Sequence, residues 1–396
     1  MRRARLIVAT LAVAVAAAGC GGGGGDTGNS AGGSGSSEPI KLGAWFPLTG
    51  AQAASGIPQK VGASVYWQKF NDDGGANGTK VDFLTKDNAF DPQQTIAIAR
   101  EFVAKDQVDA IVNTNGTATT EATFPFVLQQ NHIPIFGTYG GSAAWYDPPR
   151  PGLFGTQALY EDQARVAVKW ATEEGVKNLL VVRDDPEAFA NVSKAAQAYA
   201  KDKGATANEV VVKIGTTDYA PIVNQVKSAA PDGVLLILPP QEAAAYLNEV
   251  ALQGVKIPAY GYAPAANEAT LTLAGPNAEG FRAVSLTLPP TSDEPDVQEY
   301  RDAMKKYAPD TQPDSYSLAA YGYARAFGEI LKSIDGKVTS ESITTAIEKA
   351  SDIKTGIVPP LSFSPKDHLG TDAVVRVEVQ GGKYVAEGDF ESPGKN

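Results

Sequence analysis

The chain has 396 residues, of which 43% are hydrophobic and 20% charged. Those proportions fit a soluble globular protein and exclude a disordered chain or a multispan membrane protein, and at roughly 100–200 residues per domain the length leaves room for two domains. A formal net charge of -11, with no cluster of Lys and Arg in the body, argues against nucleic acid or an anionic lipid surface as a partner.

At the N-terminus Arg2, Arg3 and Arg5 precede an uncharged apolar run over 6–18. This is the pattern of an export signal, assigned here to residues 1–19, and the run is too short to span a bilayer comfortably. It ends in Ala17-Ala18-Gly19-Cys20, which resembles the lipobox of bacterial lipoproteins and implies lipidation of Cys20 and anchoring at the cell membrane. Cys20 is the one cysteine of the chain, so no intrachain disulfide can form and an anchor is the simplest use of the thiol. An ordinary cleaved signal with an incidental cysteine is the plainer alternative. Residues 20–39 are mostly Gly, Ser, Asn, Thr and Asp, a composition that buries too little apolar surface to order itself and reads as a flexible tether.

From residue 40 short apolar runs alternate with longer helical patterns, as in βαβ units around parallel sheets. The strands expected in chain order are 40–46, 80–86, 108–113, 133–136, 178–182, 207–214, 233–238 and 259–262. Helices are expected over 92–105, where Ile96, Ala99 and Val103 share a face, and over 188–203 and 241–253, with Gly204 and Gly254 at the left-handed cap positions. Proline-rich stretches at 147–152 and 289–295 mark candidate crossings between two lobes. Beyond them come helices over 297–307, 316–334 and 340–350, then strands over 361–363 and 373–379.

No catalytic or metal constellation emerges. His132 and His368 are the only histidines and neither sits at metal-ligand spacing, so surface or loop positions are expected for both. The run Gly140-Gly141-Ser142-Ala143-Ala144 departs from a nucleophile elbow at its fifth position, and residues 74–80 lack the Gly-Lys-Ser/Thr order of a phosphate loop and read as a turn. Asp72, Asp73, Asp184 and Asp185 are paired carboxylates near turns, where solvation is commoner than acid–base work.

Four segments carry a family resemblance: Ile40-Lys41-Leu42-Gly43 leading to Pro47-Leu48-Thr49-Gly50, then Phe70-Asn71-Asp72-Asp73-Gly74-Gly75, Asp87-Asn88-Ala89-Phe90-Asp91-Pro92, and Asn131-His132-Ile133-Pro134-Ile135-Phe136. In that order and spacing the chain resembles the leucine/isoleucine/valine-binding proteins of ABC importers, type I periplasmic binding proteins, from about residue 40 to 388. The resemblance implies an α/β fold of two Rossmann-like lobes with parallel central sheets, joined by crossing hinge strands, that close on a ligand like a Venus flytrap. It assigns 40–156 plus 287–360 to lobe 1 and 157–286 plus 361–393 to lobe 2. It also implies a monomer without metal or other cofactor, partnered by a small ligand and an ABC permease.

The resemblance places the ligand against strand ends and helix N-termini. The first turn is Asn115-Gly116-Thr117-Ala118-Thr119-Thr120, where one inserted residue decides whether Thr117 or Thr119 faces the ligand, with Ala118 between them; the plainer reading is that Thr117 caps a helix. The second turn is Tyr139-Gly140-Gly141-Ser142. Ser55 and Phe189 fall at cleft positions of the two lobes, Pro239 replaces a polar aromatic residue, and Tyr262 precedes Ala263, which stands where amino-acid binders carry the glutamate that pairs with the α-ammonium. Losing that partner typically costs about 3–5 kcal/mol, so the expected ligand is a carboxylate or other polar or aromatic solute without an α-ammonium, stacked on Tyr139, Trp145, Tyr260 or Tyr262. Three alternatives stay open: an amino-acid or polyamine binder in which Asp184, Asp185 or Glu268 replaces the glutamate, a ligand sensor, and a cell-surface enzyme using Ser142 or Asp184 on the same scaffold.

Overall fold

A computed structural model describes residues 38–50 and 52–394. Cys20, the export signal and the tether lie outside the described residues. Among the described residues no helix is long and apolar enough to cross a membrane.

The first lobe is built on β1 (Ile40–Phe46), β2 (Val81–Asp87), β3 (Ala110–Val112), β4 (Ile135–Phe136) and β5 (Leu153–Phe154), in the order β2-β1-β3-β4-β5 with every pair parallel. Because successive side chains point to opposite faces of a strand, each short strand feeds two cores. Leu42, Ala110, Val112, Phe136 and Phe154 join one cluster with Trp67, Tyr321 and Phe327. Trp45, Ile111, Ile135 and Leu153 join the other with Phe102, Phe124 and Trp145. The first helices of this lobe are α1 (Ala53–Asp72), α2 (Pro92–Glu101) and α3 (Thr117–Glu121). The helix expected over 92–105 is α2 running into a π-turn at Phe102–Asp106, ended by Gln107 in the left-handed conformation. The turn expected over 74–80 joins α1 to β2 through a bridge between Ala76 and Thr79.

The second lobe holds α4 (Tyr160–Glu173), β6 (Asn178–Asp184), α5 (Glu187–Asp202), β7 (Thr206–Val212), α6 (Ala220–Ala229), β8 (Gly233–Ile237), α7 (Pro240–Leu252), β9 (Ala259–Gly261), α8 (Glu268–Ala274) and β10 (Arg282–Ser285). Gly204 and Gly254 follow α5 and α7 with φ of +74° and +66°, as their cap positions require. The chain then returns to the first lobe as α9 (Pro295–Tyr307), α10 (Ser315–Lys332) and α11 (Ser340–Lys349), and ends in the second as β11 (Val375–Gln380) and β12 (Lys383–Ala386). The second sheet has the order β12-β11-β10-β9-β8-β6-β7. Its last two strands run antiparallel, so the sheet is mixed rather than wholly parallel; a hairpin whose turn is Gly381-Gly382 needs no crossover helix.

Two expectations about the crossings are corrected. The stretch 147–152 does not leave the first lobe, because it leads into β5, which pairs with β4. The chain departs at Gly155, whose N–H donates to the His368 carbonyl (2.9 Å) and whose carbonyl accepts from the Gly370 N–H (2.8 Å). Residues 361–363, expected to be a strand of the second lobe, pack on the first: Phe363 lies against Phe136 and Phe154, with ring centroids 5.7 and 5.9 Å apart. Between these passes, Leu288 donates its N–H to the Ile357 carbonyl (3.0 Å) and touches the cores of both lobes.

Candidate ligand-binding site

The turns that follow β3 and β4 are tied together by their backbones. Tyr139 N–H donates to the Thr114 carbonyl (2.7 Å) and Gly116 N–H donates to the Tyr139 carbonyl (3.0 Å). Thr117, Gly140 and Gly141 are thereby brought side by side. A Cβ on Gly140 would stand 2.8 Å from the Trp145 ring and 3.1 Å from Thr117 Oγ1, and one on Gly141 would stand 2.9 Å from the Tyr160 ring. Only glycine lets the aromatic rings and this backbone approach so closely.

Of the two threonines left open by the sequence, Thr119 commits its hydroxyl to the backbone. It is buried and its hydroxyl donates to the carbonyls of Asn115 (3.3 Å) and Gly116 (3.2 Å). Thr117 is half-buried and its side chain faces the Tyr160 hydroxyl. Gly116, not Thr117, is the N-cap of α3, and no side chain caps that helix. Ala118 is exposed beside it. Ser55, near the start of α1, joins the same corner: Asn115 Nδ2 reaches Ser55 Oγ (3.4 Å) and Gln59 Oε1 (2.5 Å). Gln59 Nε2 is buried there without a hydrogen-bond partner. Ser142 is half-buried and opens the short helical turn Ala143–Trp145.

From the second lobe, Tyr262 lies between Tyr160 and Phe189, with ring centroids 6.0 and 6.3 Å away. Tyr139 packs against Tyr316 and Tyr323 at 6.3 and 5.7 Å, and its hydroxyl is buried without a partner. Burial holds the phenols of Tyr139, Tyr160, Tyr262 and Tyr316 above their ordinary pKa, so each remains a neutral hydroxyl able to donate. Tyr160 and Tyr316 carried no signal in the sequence, since an aromatic residue in the first turn of an amphipathic helix looks the same whether it packs or binds. Ala263 donates its N–H to Gln163 Oε1 (3.2 Å), and half-buried Pro239 precedes α7 at the end of β8.

Two expected stacking residues belong to the core instead. Trp145 is fully buried against Phe124. Tyr260 is buried against Trp170, with its hydroxyl on Glu174 (2.5 Å). Nor is His368 a surface residue: it is 2% exposed, stacks on Phe154 at 4.4 Å and sets Nδ1 against the carbonyls of Arg150 (2.9 Å) and Leu153 (3.1 Å). His132 is exposed, at φ +53°. Among the described residues no group of His, Cys, Asp and Glu is arranged to hold a metal.

Three acids border the aromatic residues. Asp184, at the end of β6, is fully buried. Loss of water and the neighbouring Glu242 carboxyl push it up to about 8. Glu242 accepts from Tyr219 Oη (2.7 Å) and the Gly215 N–H (2.8 Å). Glu268, at the start of α8, is pushed up to about 7, chiefly by desolvation.

A model of the periplasmic binding protein family matches residues 39–383. The chain belongs to that family. Within it, the chain is similar to leucine/isoleucine/valine-binding protein homologues. Leu/Ile/Val-binding protein homolog 1 of Brucella suis is 23% identical over 347 residues, covering 85% of this chain and 88% of its own. The fold matches a branched-chain amino acid ABC transporter protein from Thermus thermophilus with bound valine, at TM-score 0.80 and 18% identity over 89% of this chain and 96% of that one. It also matches a solute-binding protein of an R. palustris ABC transporter in complex with benzoate, at TM-score 0.75 and 17% identity over 88% and 96%. Members of this periplasmic binding protein family capture small molecules outside the cytoplasm and work with ABC permeases.

Proposed function

We propose that the chain is a membrane-anchored, extracytoplasmic binding lipoprotein that delivers a small carboxylate with an apolar or aromatic body to an ABC permease. One observation carries this reading: Tyr160 lies directly against Thr117 and the side-chain-free Gly141 backbone, and Tyr262 and Phe189 continue the aromatic row behind it. Hydroxyls and backbone amides suit a carboxylate, and stacked rings suit a flat or apolar remainder. Ala263 leaves an α-ammonium without the charge partner that the resemblance places there, which disfavours ordinary α-amino acids.

In this reading the two-lobed body is a monomeric receptor and not an enzyme. The first lobe comprises residues 40–154 and 289–369, the second 156–285 and 375–393, and the segments between them act as the hinge. The benzoate and valine held by the two structural relatives mark the alternatives to be separated. Thermal-shift measurement against benzoates, short-chain acids, amides and amino acids tests the proposal. Stabilisation by aromatic or short-chain acids is expected; preferential stabilisation by valine or leucine contradicts it.

A further inference from the structure

We propose that Asp184 is a second recognition group of the same site, taking an ammonium or amidinium that the solute carries at the end remote from its carboxylate. The inference rests on the carboxylate reading above and narrows it to amino-substituted or ω-amino acids.

The position follows from the sheet. Asp184 closes β6, and the order β9-β8-β6 sets one strand between it and the end of β9 that leads into Tyr262 and Ala263. Two inter-strand spacings are about 9–10 Å. A positive charge at Asp184 is therefore displaced by that distance from the place where Ala263 now stands.

The chemistry follows from what surrounds the carboxyl. Asp184 is fully buried and receives no hydrogen bond from an N–H or hydroxyl of the protein; its side chain meets the Glu242 carboxyl instead. A buried pair of acids without a cation beside it costs stability and calls for an explanation. Arg183, next in the chain, is committed elsewhere: its Nε and Nη2 donate to Glu209 (2.8 and 3.2 Å), and Nη1 reaches only the Asp184 backbone carbonyl (3.0 Å). The other groups facing Asp184 are Glu242 of α7, Asp185, and the phenols of Tyr219 and Tyr262. Glu242 already receives two donors, so in the contact between the two acids the shared proton falls to Asp184.

An incoming ammonium supplies the missing donors and displaces that proton to solvent. The carboxyl has already been stripped of water by the fold, so binding does not bear that cost again.

Titration calorimetry of the purified protein at pH 7, in two buffers of different ionisation enthalpy, tests this with 4-(aminomethyl)benzoate and its near-isostere 4-ethylbenzoate. The amine should bind about tenfold or more tightly and release about one proton more than 4-ethylbenzoate does. Asp184→Asn should erase the difference between the two probes, and the proton count on the unaltered protein decides the matter even if that variant fails to fold. Equal affinity without proton release overturns the inference and leaves the carboxylate reading standing. Failure of both probes to bind overturns the two together.

Discussion

Glu268, at the start of α8 in the second lobe, accepts hydrogen bonds from both the backbone N–H (2.8 Å) and the hydroxyl (2.9 Å) of Ser315, the first residue of α10 in the first lobe. Asn267 Nδ2 adds a bond to the same hydroxyl (3.0 Å). These contacts tie the second lobe to the first, and the proposed closure of the lobes is taken to form them. The N-terminal end of α10 favours the carboxylate, but desolvation outweighs it and holds Glu268 at about 7 rather than 4.5.

The pH dependence has a definite sign. A carboxyl whose pKa is raised in the closed form penalises closure when ionised, so the penalty is full above pH 7 and disappears below about 4.5. Affinity for a carboxylate ligand that does not itself titrate should therefore rise as pH falls from 8 to 6. Glu268→Gln should remove the part of the profile centred near 7 and leave any part near 8, where Asp184 titrates. Calorimetry across that range checks both statements; a rise in affinity with pH would contradict them.

Thr117 and Thr119 should separate cleanly on substitution. Thr117→Val removes a hydroxyl from the proposed ligand surface and is expected to weaken binding about five- to tenfold with little change in melting temperature. Thr119→Val removes bonds to two backbone carbonyls inside the first lobe, which should cost about 1 kcal/mol of stability. Parallel binding and denaturation curves for the two variants make the comparison.

Gly141→Ala places a methyl group 2.9 Å from the Tyr160 ring. The ring must shift, at a cost of about 1–3 kcal/mol, and the ring faces of Tyr160 and Tyr262 should separate. Reduced melting temperature together with reduced ligand affinity is the expected pair of results.

Ala263→Glu introduces the acid that the family resemblance places at this position. Valine binding should strengthen by about two decades or more if a missing charge partner is what excludes it. Competition between valine and an aromatic acid on this variant provides the measurement.

The contrast between the two glycine turns and the aromatic wall explains how much was legible in the sequence. Strands such as β1 and β6 declare themselves as continuous apolar runs because both faces are buried. α1 gives no such signal, since its buried face is built partly from Gly56, Gln59 and Gly62 and Pro58 interrupts the helical pattern. β12 is a four-residue edge strand with alternating exposure, too short for periodicity to mark. Thr117, Gly140 and Gly141 stand out only through the family resemblance, because hydroxyls and glycines at strand ends equally serve as helix caps and turns. Tyr160 and Tyr316 do not, because their role depends on two lobes meeting, a relation between residues more than 150 positions apart. Likewise, nothing in the sequence separates Trp145 from a stacking ring, because Phe124 and Gly140, which enclose it, are distant or featureless in the chain.

The most direct test is a crystal structure grown with the compound that stabilises the protein best in the thermal-shift panel. The account predicts that its carboxylate lies against Thr117, Gly140 and Gly141, its body against Tyr160, Tyr262 and Phe189, with Glu268 still bonded to Ser315. Density for the compound at any other place, or a bound state with the Glu268–Ser315 contact open, would contradict it.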